Sequence, residues 1–552
     1  MAALQQALAG DQMQGIVLAS GLRAPGQGFS GGSDLAGLGR PWPRDVPKPA
    51  DITRLMLAAP CVVVAALHGP TLGAGAEIAL AARGRVAQAD LRFGLRDVLV
   101  GRLPMAGATQ TLPRLIGATE ALRLLGKGPS IPAAEALAMG LIDAVCDGDL
   151  LDAALAMVHT PPAAGRAPGL RDGRAYQVAL AQARVAGASV DLLRCLEAAQ
   201  LLPTEQGLDF EAEVAADVLQ RPQTAALQHL TMAEMRMAAD LHGGQPVPRL
   251  GLWGAAGGPL IWPALRAGMT VVLADDDGAA LVAAVEKVAI AQSAQVAAGR
   301  MSVAEQDANW ARLIPAHNPD ALAGLPLVIA AKPGMAGQHL QFGHWPGAAD
   351  HTPRLHLIAP AFAELQVLQA PRGWALMAAA TLRQMRMRLG VTQAPPAHGA
   401  ARALVLAAQQ ACRCLLMHGI PGDRLQDSLK DHLHVPLPAS GVVAQSTTWA
   451  DMEPQAIRHR IMGAIAAEGA RLVMQGVVRR AESLDVLGGV ALGMPRHLGG
   501  PLFATDQRGL MLLRRDLQLW QRDHAIWAPP ALLDRLVSTG ARLCEVDSDQ
   551  QD

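Results

Sequence analysis

Twice along this chain, a short apolar run reaches a glycine-rich turn and continues directly into a stretch with helical periodicity. The first instance is CVVVAALHGPTLGAGAEIALAA at 61–82, and the second is LGLWGAAGGPLIWPALR at 250–266. Each pattern is typical of a buried strand that leads into a helix, which is the building unit of α/β domains. Because 552 residues exceed what one ordinary core accommodates, the sequence predicts an α/β protein of several domains.

The charge balance and the cysteines indicate which binding partners and which cellular compartment to expect. The chain carries 47 Lys and Arg against 48 Asp and Glu, so it gives no electrostatic reason to expect nucleic acid or an anionic membrane as a partner. Its six cysteines are scattered and lie mostly in apolar runs, which is typical of reduced thiols and predicts a cytoplasmic protein. Cys412 and Cys414 lack a second ligand pair at zinc spacing, so we expect no metal site.

Hydropathy and local composition predict the order of the remaining segments. No secretory signal pattern and no apolar run of roughly 18 residues is present, so we expect no membrane span. GIVLAS at 15–20 and GRVAQAD at 84–90 have the pattern of buried strands. The Pro- and Gly-rich segment 160–173 predicts a linker, helical periodicity runs from Tyr176 to about Leu241, and the chain after residue 373 is mostly helical.

Two glycine turns near the N-terminus are expected to present backbone N–H groups to a ligand. GPTLGAGAEIALAA runs from a turn into a helix, whose first-turn N–H groups have no acceptor within the helix, and FSGGSDL at 29–35 offers a second tight turn. Two such donors converging on one carbonyl oxygen would form an oxyanion hole. Glu77 lies in this helix and Asp97 follows a predicted strand, so both carboxylates are candidates for the same pocket. Taken alone, Glu77 could instead have only a structural role, because a negative charge near a helix N-terminus stabilises the helix through its dipole. Asp97 could likewise be an acid on a surface turn.

Five sequence blocks resemble the crotonase (enoyl-CoA hydratase/isomerase) superfamily in order and spacing: FSGGSDL, AALHG, LGAGAEIALAA, FGLRDV and LPMAGATQTLPRLIG. The resemblance covers about residues 1–157 and implies a ββα spiral. It implies that the N–H groups of Gly31 and Ala74 bind a thioester oxygen of an acyl-CoA substrate. It further implies that Glu77 and Asp97 catalyse the addition of one water molecule. One of the two carboxylates accepts a proton from the water, and the other protonates carbon 2. Asp97 stands where the family has Glu.

A second resemblance, to the 3-hydroxyacyl-CoA dehydrogenases, begins at residue 248. In register with that family's NAD-binding turn, Gly254 takes the first glycine position, Ala256 the second and Pro259 the third. Asp275 ends the second strand and matches the acid that binds the ribose hydroxyls. Because only one of three glycines is present, the resemblance implies a Rossmann-like domain in which NAD binding is impaired.

The catalytic segment of those dehydrogenases is similar to PRLHLIAPAFAELQVL at 353–368, which places His356 on the position of the catalytic histidine. The orienting Glu of the family is missing at its expected position, where Val367 and Leu368 stand. A histidine in an apolar run is also a common structural residue, and that alternative stays open. The segment 457–510, with its GMPRHLGGP loop, resembles the last helical repeat of the family.

The combined pattern resembles the multifunctional fatty-acid β-oxidation enzymes. We expect an acyl-CoA hydratase/isomerase with an impaired dehydrogenase; an active bifunctional enzyme and a non-catalytic acyl-CoA-binding scaffold are the alternatives. A thiolase partner or a homo-oligomer fits the resemblance. The predicted domains are an N-terminally short crotonase-like domain at 1–157, a linker and helical segment at 158–246, a degenerate Rossmann-like NAD-binding domain at 247–372, and all-α dehydrogenase C-terminal domains in two half-repeats at 373–552.

Overall fold

We analysed a computed structural model of the chain. It describes residues 1–9, 13–21, 27–32, 46–163, 168–335, 337–343, 352–367, 370–393, 399–436 and 448–547. The chain divides into two compact units, residues 1–228 and 229–552. The four predicted domain boundaries remain predictions, and each unit is considered by itself.

The first unit contains two four-stranded sheets, and strands β1 to β6 alternate between them along the chain. One sheet has the order β1-β3-β5-β8 and is parallel throughout, and the other has the order β2-β4-β6-β7 with only β7 antiparallel. A strand of each sheet followed by a helix forms a repeating ββα turn, as the resemblance predicts. The strands are β1 (Gly15–Ala19), β2 (Ser30–Gly31), β3 (Val62–Leu67), β4 (Pro70–Leu72), β5 (Gly84–Gln88), β6 (Arg92–Gly94), β7 (Ser130–Pro132) and β8 (Ala144–Cys146).

Helices surround these sheets, and the later ones share their hydrophobic core. Tyr176, Leu196 and Val214 pack in one buried cluster with Leu67 and Leu112, so the helical segment after residue 173 completes this core. Part of the predicted linker, residues 164–167, lies outside the described residues. The helices are α1 (Ala2–Leu8), α2 (Pro49–Leu57), α3 (Gly73–Leu80), α4 (Ala108–Lys127), α5 (Ala133–Ala138), α6 (Leu150–His159), α7 (Gly173–Val185), α8 (Val190–Leu201), α9 (Thr204–Leu219) and α10 (Pro222–Ala239), which extends across the unit boundary.

The second unit begins with an eight-stranded sheet of order β11-β10-β9-β12-β13-β14-β15-β16. Counted along the chain, its first six strands have the order 3-2-1-4-5-6 of the dinucleotide-binding fold, which confirms the predicted Rossmann-like architecture. Only the β14–β15 pair is antiparallel. The strands are β9 (Arg249–Trp253), β10 (Thr270–Ala274), β11 (Leu313–Ala316), β12 (Val328–Ala330), β13 (Leu340–Phe342), β14 (Arg354–Ala359), β15 (Phe362–Gln366) and β16 (Arg388–Thr392).

The connection from β12 to β13 is unusually short for two neighbouring parallel strands. Residues 331–339 make this crossover, and the described part of them contains no helix, although such a crossover usually includes one. The next connection, residues 343–353, leads to β14, and residues 344–351 of it are outside the described residues.

Helices make up the rest of the second unit. One of them, α12, is the only described helix that is long and apolar enough to cross a membrane, although helices of packed domains meet the same criterion. The helices are α11 (Ile261–Arg266), α12 (Gly278–Ala297), α13 (Val303–Trp310), α14 (Arg372–Gln384), α15 (Ala400–Met417), α16 (Gly422–Leu429), α17 (Pro454–Met474), α18 (Glu482–Ala491), α19 (Pro501–Arg508), α20 (Leu510–Trp520) and α21 (Ala531–Thr539).

The GMPRHLGGP loop joins α18 to α19 through a close backbone approach at Gly500. Asp485 Oδ1 accepts the N–H groups of Leu502 at 2.6 Å and Phe503 at 3.1 Å, which satisfies the first turn of α19. Gly500 has φ +92°, and an added Cβ would lie 2.4 Å from Asp485 Cβ. Only glycine fits this position, because both the φ angle and the neighbouring carboxylate exclude a side chain.

We expect Gly500→Ala to lower the free energy of unfolding by about 3 kcal/mol or more, the sum of left-handed backbone strain and overpacking. Gly540→Ala is the matched control, because Gly540 has φ +69° but an added Cβ meets no heavy atom within 4 Å. It should cost only about 1–2 kcal/mol. Urea unfolding followed by tryptophan fluorescence measures both, and equal losses would refute the close approach at Gly500.

Candidate active site

The two predicted oxyanion-hole turns lie side by side in the first unit. Gly31 in β2 is paired with Leu72 of β4, and β4 continues directly into α3, whose second residue is Ala74. The N–H of a second helical residue has no acceptor within its own helix. Among the described residues, a Cβ placed on Gly31 would meet nothing within 4 Å, so this strand borders open space. The tertiary structure thus brings the two predicted donors into adjacent positions.

Ser30 clamps these two turns together. Its hydroxyl donates to the Leu72 carbonyl at 3.3 Å and accepts the Gly32 N–H at 3.2 Å. A Cβ on Gly75 would lie 2.2 Å from Ser30 Cβ, so α3 approaches β2 as closely as glycine allows. The remaining residues of the predicted FSGGSDL turn, 33–35, lie outside the described residues.

Glu77 belongs to α3, and its buried side chain accepts hydrogen bonds from the turn at the start of α4. Its Oε2 accepts the N–H groups of Ala106 at 2.8 Å and Ala108 at 3.1 Å, and its Oε1 accepts that of Met105 at 3.4 Å. Only 1% of its surface is exposed. The side chain is therefore held in one place by backbone donors, as a catalytic carboxylate requires.

A second buried carboxylate, Glu211 of α9, binds the alternate N–H groups of the same turn. It accepts the N–H groups of Gly107 at 2.7 Å and Thr109 at 2.9 Å, and the Thr109 hydroxyl as well. Residues 105–109 therefore divide their backbone donors between Glu77 and Glu211. No local sequence motif surrounds Glu211, so the sequence pattern did not predict it.

Asp97 opens a short 3-10 helix, Asp97–Val100, and is buried rather than placed on a surface turn. Within the described part of the chain its Oδ2 is buried and has no hydrogen-bond partner. An unsatisfied carboxylate oxygen in a protein interior is costly unless a ligand or water occupies the space it faces. Asp97 is therefore the carboxylate of this site that is ready to accept a proton or a hydrogen bond.

All three carboxylates have raised pKa values. Burial, followed by the charges of Asp97 and Glu211, raises the pKa of Glu77 well above its usual value. Burial also raises the pKa of Asp97, with Arg102 opposing the change, and raises that of Glu211 from 4.5 to about 7. Because a neighbouring negative charge disfavours a second ionisation, Glu77 and Asp97 can be held as one acid and one base at the same time.

We expect the raised pKa of Glu211 to appear in the pH dependence of stability. Because the folded protein favours protonated Glu211, the free energy of unfolding should fall as pH rises from about 4.5 to about 7. Glu211→Gln should flatten this slope while costing about 1–3 kcal/mol at low pH, since an amide nitrogen then faces a backbone donor.

Chemical denaturation at pH 5, 6, 7 and 8 measures this dependence. The control is Glu213→Gln on the same helix, where the side chain is exposed, and it should leave the slope unchanged. A Glu211→Gln slope as steep as that of the natural chain would refute the interpretation.

In the second unit, the predicted cofactor residues lie at the carboxyl ends of β9 and β10. Gly254 follows β9 with φ +96°, Ala256 is exposed, and Asp275 follows β10 with 3% of its surface exposed. The Asp275 oxygens accept the N–H groups of Ala255 at 2.6 Å and Asp277 at 2.9 Å. The position is that of the topological switch point, where a dinucleotide binds in this fold.

Lys332, the second residue after β12, occupies this switch point. Its ammonium donates to Asp275 and Asp276 and lies 4.5 Å from the centre of the Trp253 ring. Although burial favours the neutral acid, Lys332 and the two backbone donors lower the pKa of Asp275. Both Asp275 oxygens are thus engaged and buried, so the residues in this arrangement do not fit a ribose that needs the same acceptors.

His356 in β14 is hydrogen-bonded to a neutral side chain. Its Nε2 lies 3.2 Å from Gln366 Oε1, at the end of β15. The nearby Glu364 instead accepts the N–H groups of Ala400 and Ala401, which caps α15. Gln366 is therefore a partner that our sequence analysis missed, and an amide cannot neutralise an imidazolium as a carboxylate does. Leu368, part of the predicted glutamate position, lies outside the described residues.

One group of potential metal ligands occurs among the described residues. His229, Asp485 and Cys544 bring a nitrogen, an oxygen and a sulfur within 4.8 Å of one another. His229 Nε2 is 2.7 Å from Asp485 Oδ2, and the other Asp485 oxygen caps α19. These contacts already satisfy the carboxylate, so the group is accounted for by structural hydrogen bonds.

Comparison with solved structures returns proteins of two kinds. An enoyl-CoA hydratase from Mycobacterium avium subsp. paratuberculosis is 24% identical, covering 42% of this chain and 82% of its own, with a TM-score of 0.31. OdaA from Pseudomonas aeruginosa is 23% identical, covering 42% and 85%, with a TM-score of 0.31. A 3-hydroxybutyryl-CoA dehydrogenase from Escherichia coli is 14% identical, covering 53% and 99%, with a TM-score of 0.44.

Residues 1–161, the N-terminal part of the first unit, match a known protein family. The sequence model of the family described as enoyl-CoA hydratase/isomerase matches residues 1–161, the segment that contains Gly31, Ala74, Glu77 and Asp97. The N-terminal part of this chain therefore contains a domain of the enoyl-CoA hydratase/isomerase family.

Proposed function

We propose that this protein is an acyl-CoA hydratase/isomerase of the fatty-acid β-oxidation type. The observation that carries the proposal is a pair of buried carboxylates: the charge of Asp97 acts on Glu77, and one Asp97 oxygen has no hydrogen-bond partner among the described residues. The match of residues 1–161 to the enoyl-CoA hydratase/isomerase family supports it.

In this reaction the N–H groups of Gly31 and Ala74 stabilise the negative charge that builds on the thioester oxygen of a 2-enoyl-CoA. One carboxylate of the pair accepts a proton from water while the water oxygen bonds to carbon 3. The other carboxylate donates its proton to carbon 2 as the double bond is lost, which gives the 3-hydroxyacyl-CoA. Moving the double bond instead needs one carboxylate that removes a proton and returns it elsewhere.

An apolar cavity beside the Asp97 turn is suited to an acyl chain. It has a volume of about 870 Å³, within the range of ligand pockets, and lies in the first unit. Val98 and Leu103 line it next to Asp97, and Leu192 and Leu227 line it from the later helices. The helical segment after residue 173 would thus contribute to substrate binding as well as to the core.

We expect Glu77→Gln and Asp97→Asn each to lower kcat for hydration of crotonyl-CoA by about 10²–10⁴-fold, because each removes a proton-transfer group. The double variant should lose little more than either single variant, since the pair acts as a unit. Loss of enoyl absorbance measures the rate, and Glu213→Gln serves as the control.

Asp97→Glu is expected to raise kcat, because the added methylene restores the reach of the family's glutamate and a 1 Å misplacement costs about 100-fold. If Glu77→Gln and Asp97→Asn each hydrated crotonyl-CoA no more slowly than the natural chain, the hydratase assignment would be excluded. The non-catalytic acyl-CoA-binding role would then remain.

We further propose that the dehydrogenase chemistry of the second unit is impaired. The bonding of Lys332 to Asp275 and the hydrogen bond between His356 and the Gln366 amide support this. The bifunctional alternative requires Lys332 to leave Asp275, and no described contact favours that.

Lys332→Ala should tighten NADH binding by about tenfold or more, because it removes a charge-assisted bond that competes for Asp275. Binding is measured by NADH fluorescence, with the exposed Lys287→Ala as control. Formation of NADH from 3-hydroxybutyryl-CoA by the natural chain, abolished by His356→Ala, would contradict the proposal.

A further inference from the structure

A small cavity in the helical part of the second unit has a strongly one-sided charge. It has a volume of about 410 Å³ and lies among α17, α19 and α20. Four of its lining residues are basic or carry an imidazole, namely His432, Arg458, His459 and Arg508, and none of the described lining residues is acidic. The whole chain has almost equal numbers of acids and bases, so this local excess favours an anionic occupant.

Arg458 supplies a guanidinium without a carboxylate partner in the described part of the chain. Among the described residues its guanidinium donates one hydrogen bond, at 3.3 Å, to the Ser428 carbonyl. Arg508 is paired with the buried Asp516, but that carboxylate also binds Arg515 at 2.9 Å. One carboxylate therefore serves two guanidinium groups, and the positive charge around the cavity exceeds the negative charge.

The positive charge around the cavity also acts on the two imidazoles, His432 and His459. Burial, Arg508 and Arg458 lower the pKa of His459, and the opposing attraction of Asp516 does not cancel their effect. A histidine with a lowered pKa is neutral at pH 7 and offers one N–H donor without adding charge.

His432 behaves in the same way. Burial and the charges of Arg458 and His497 lower its pKa, against the attraction of Asp431. Each imidazole thus faces more positive than negative charge, which agrees with the composition of the cavity wall.

Most of the remaining wall is apolar, although Gln455, Thr505 and Gln507 also line the cavity. Leu433, Met462, Met494, Leu498 and Leu513 line the cavity behind the basic groups. Its volume is near the lower end of the range of small-molecule pockets, roughly 300–1,000 Å³. An inorganic anion would leave this apolar surface without a partner, whereas an anion with a hydrocarbon body covers it.

We propose that this cavity binds an aliphatic carboxylate, with its carboxylate group on the Arg458 guanidinium and its chain against Met462 and Leu513. A planar guanidinium binds a carboxylate through two parallel hydrogen bonds, which also orients the chain. The site belongs to the second unit, and it does not depend on the function proposed for the first.

Calorimetric titration of the full chain with octanoate tests the proposal. Octanoate should bind in a saturable manner, Arg458→Gln should weaken binding by about tenfold or more, and Arg535→Gln, which removes an exposed arginine of the same unit, should not change it. The neutral 1-octanol and inorganic phosphate should each bind more weakly than octanoate.

A second variant guards against misfolding of Arg458→Gln. Leu498→Glu places a negative charge in the cavity wall while keeping Arg458, and it should abolish octanoate binding without altering the melting temperature. Octanoate binding that survives both variants, or that inorganic phosphate matches in affinity, would overturn the proposal.

Discussion

The first unit depends on one backbone turn, residues 105–109, whose N–H groups are divided between two buried carboxylates. Glu77 reaches the turn from α3 and Glu211 reaches it from α9, so a single short segment joins the ββα spiral to the helices that follow it. Burying a carboxylate is costly unless hydrogen bonds compensate, and here the backbone supplies them. The turn keeps Glu77 in place, and burial together with the charges of Asp97 and Glu211 raises the pKa of Glu77 against the opposing effect of these backbone hydrogen bonds. The feature that stabilises the fold therefore also positions a carboxylate for proton transfer.

The candidate sites of the two units differ in whether their carboxylates are already hydrogen-bonded within the protein. In the first unit Asp97 retains a buried oxygen without a partner among the described residues, and Gly31 borders open space. In the second unit both oxygens of Asp275 are engaged, and Lys332 lies where a dinucleotide would cross the sheet. Unsatisfied polar groups in a cavity favour a ligand, whereas internally satisfied groups compete with one. This difference explains why the proposed chemistry resides in the first unit although both units retain their folds.

Sequence patterns predicted the local elements well. The expected strands at 15–20 and 84–90 appear as Gly15–Ala19 and Gly84–Gln88, because β-branched and apolar runs between glycines favour buried strands regardless of what they pack against. Placement of helices 173–219 was less predictable, since amphipathic periodicity shows that a helix has an apolar face but not which core covers it. Glu211 and Gln366 were missed for a related reason: their partners are distant in sequence or lie on a neighbouring strand.

The sequence by itself determined the existence of two α/β units, the glycines that permit tight turns, and the acids that stand near them. These features depend on neighbouring residues, through backbone sterics and apolar periodicity, and a linear string carries that information. The tertiary structure alone decided that Glu211 shares a turn with Glu77 and that Lys332 covers Asp275. It also decided that Arg458, which has no carboxylate partner in the part of the chain that the structure describes, lines a largely apolar cavity. Protonation, competition between cation and ligand, and desolvation depend on distances across the fold, because electrostatic energies in a protein interior are set by through-space neighbours and burial.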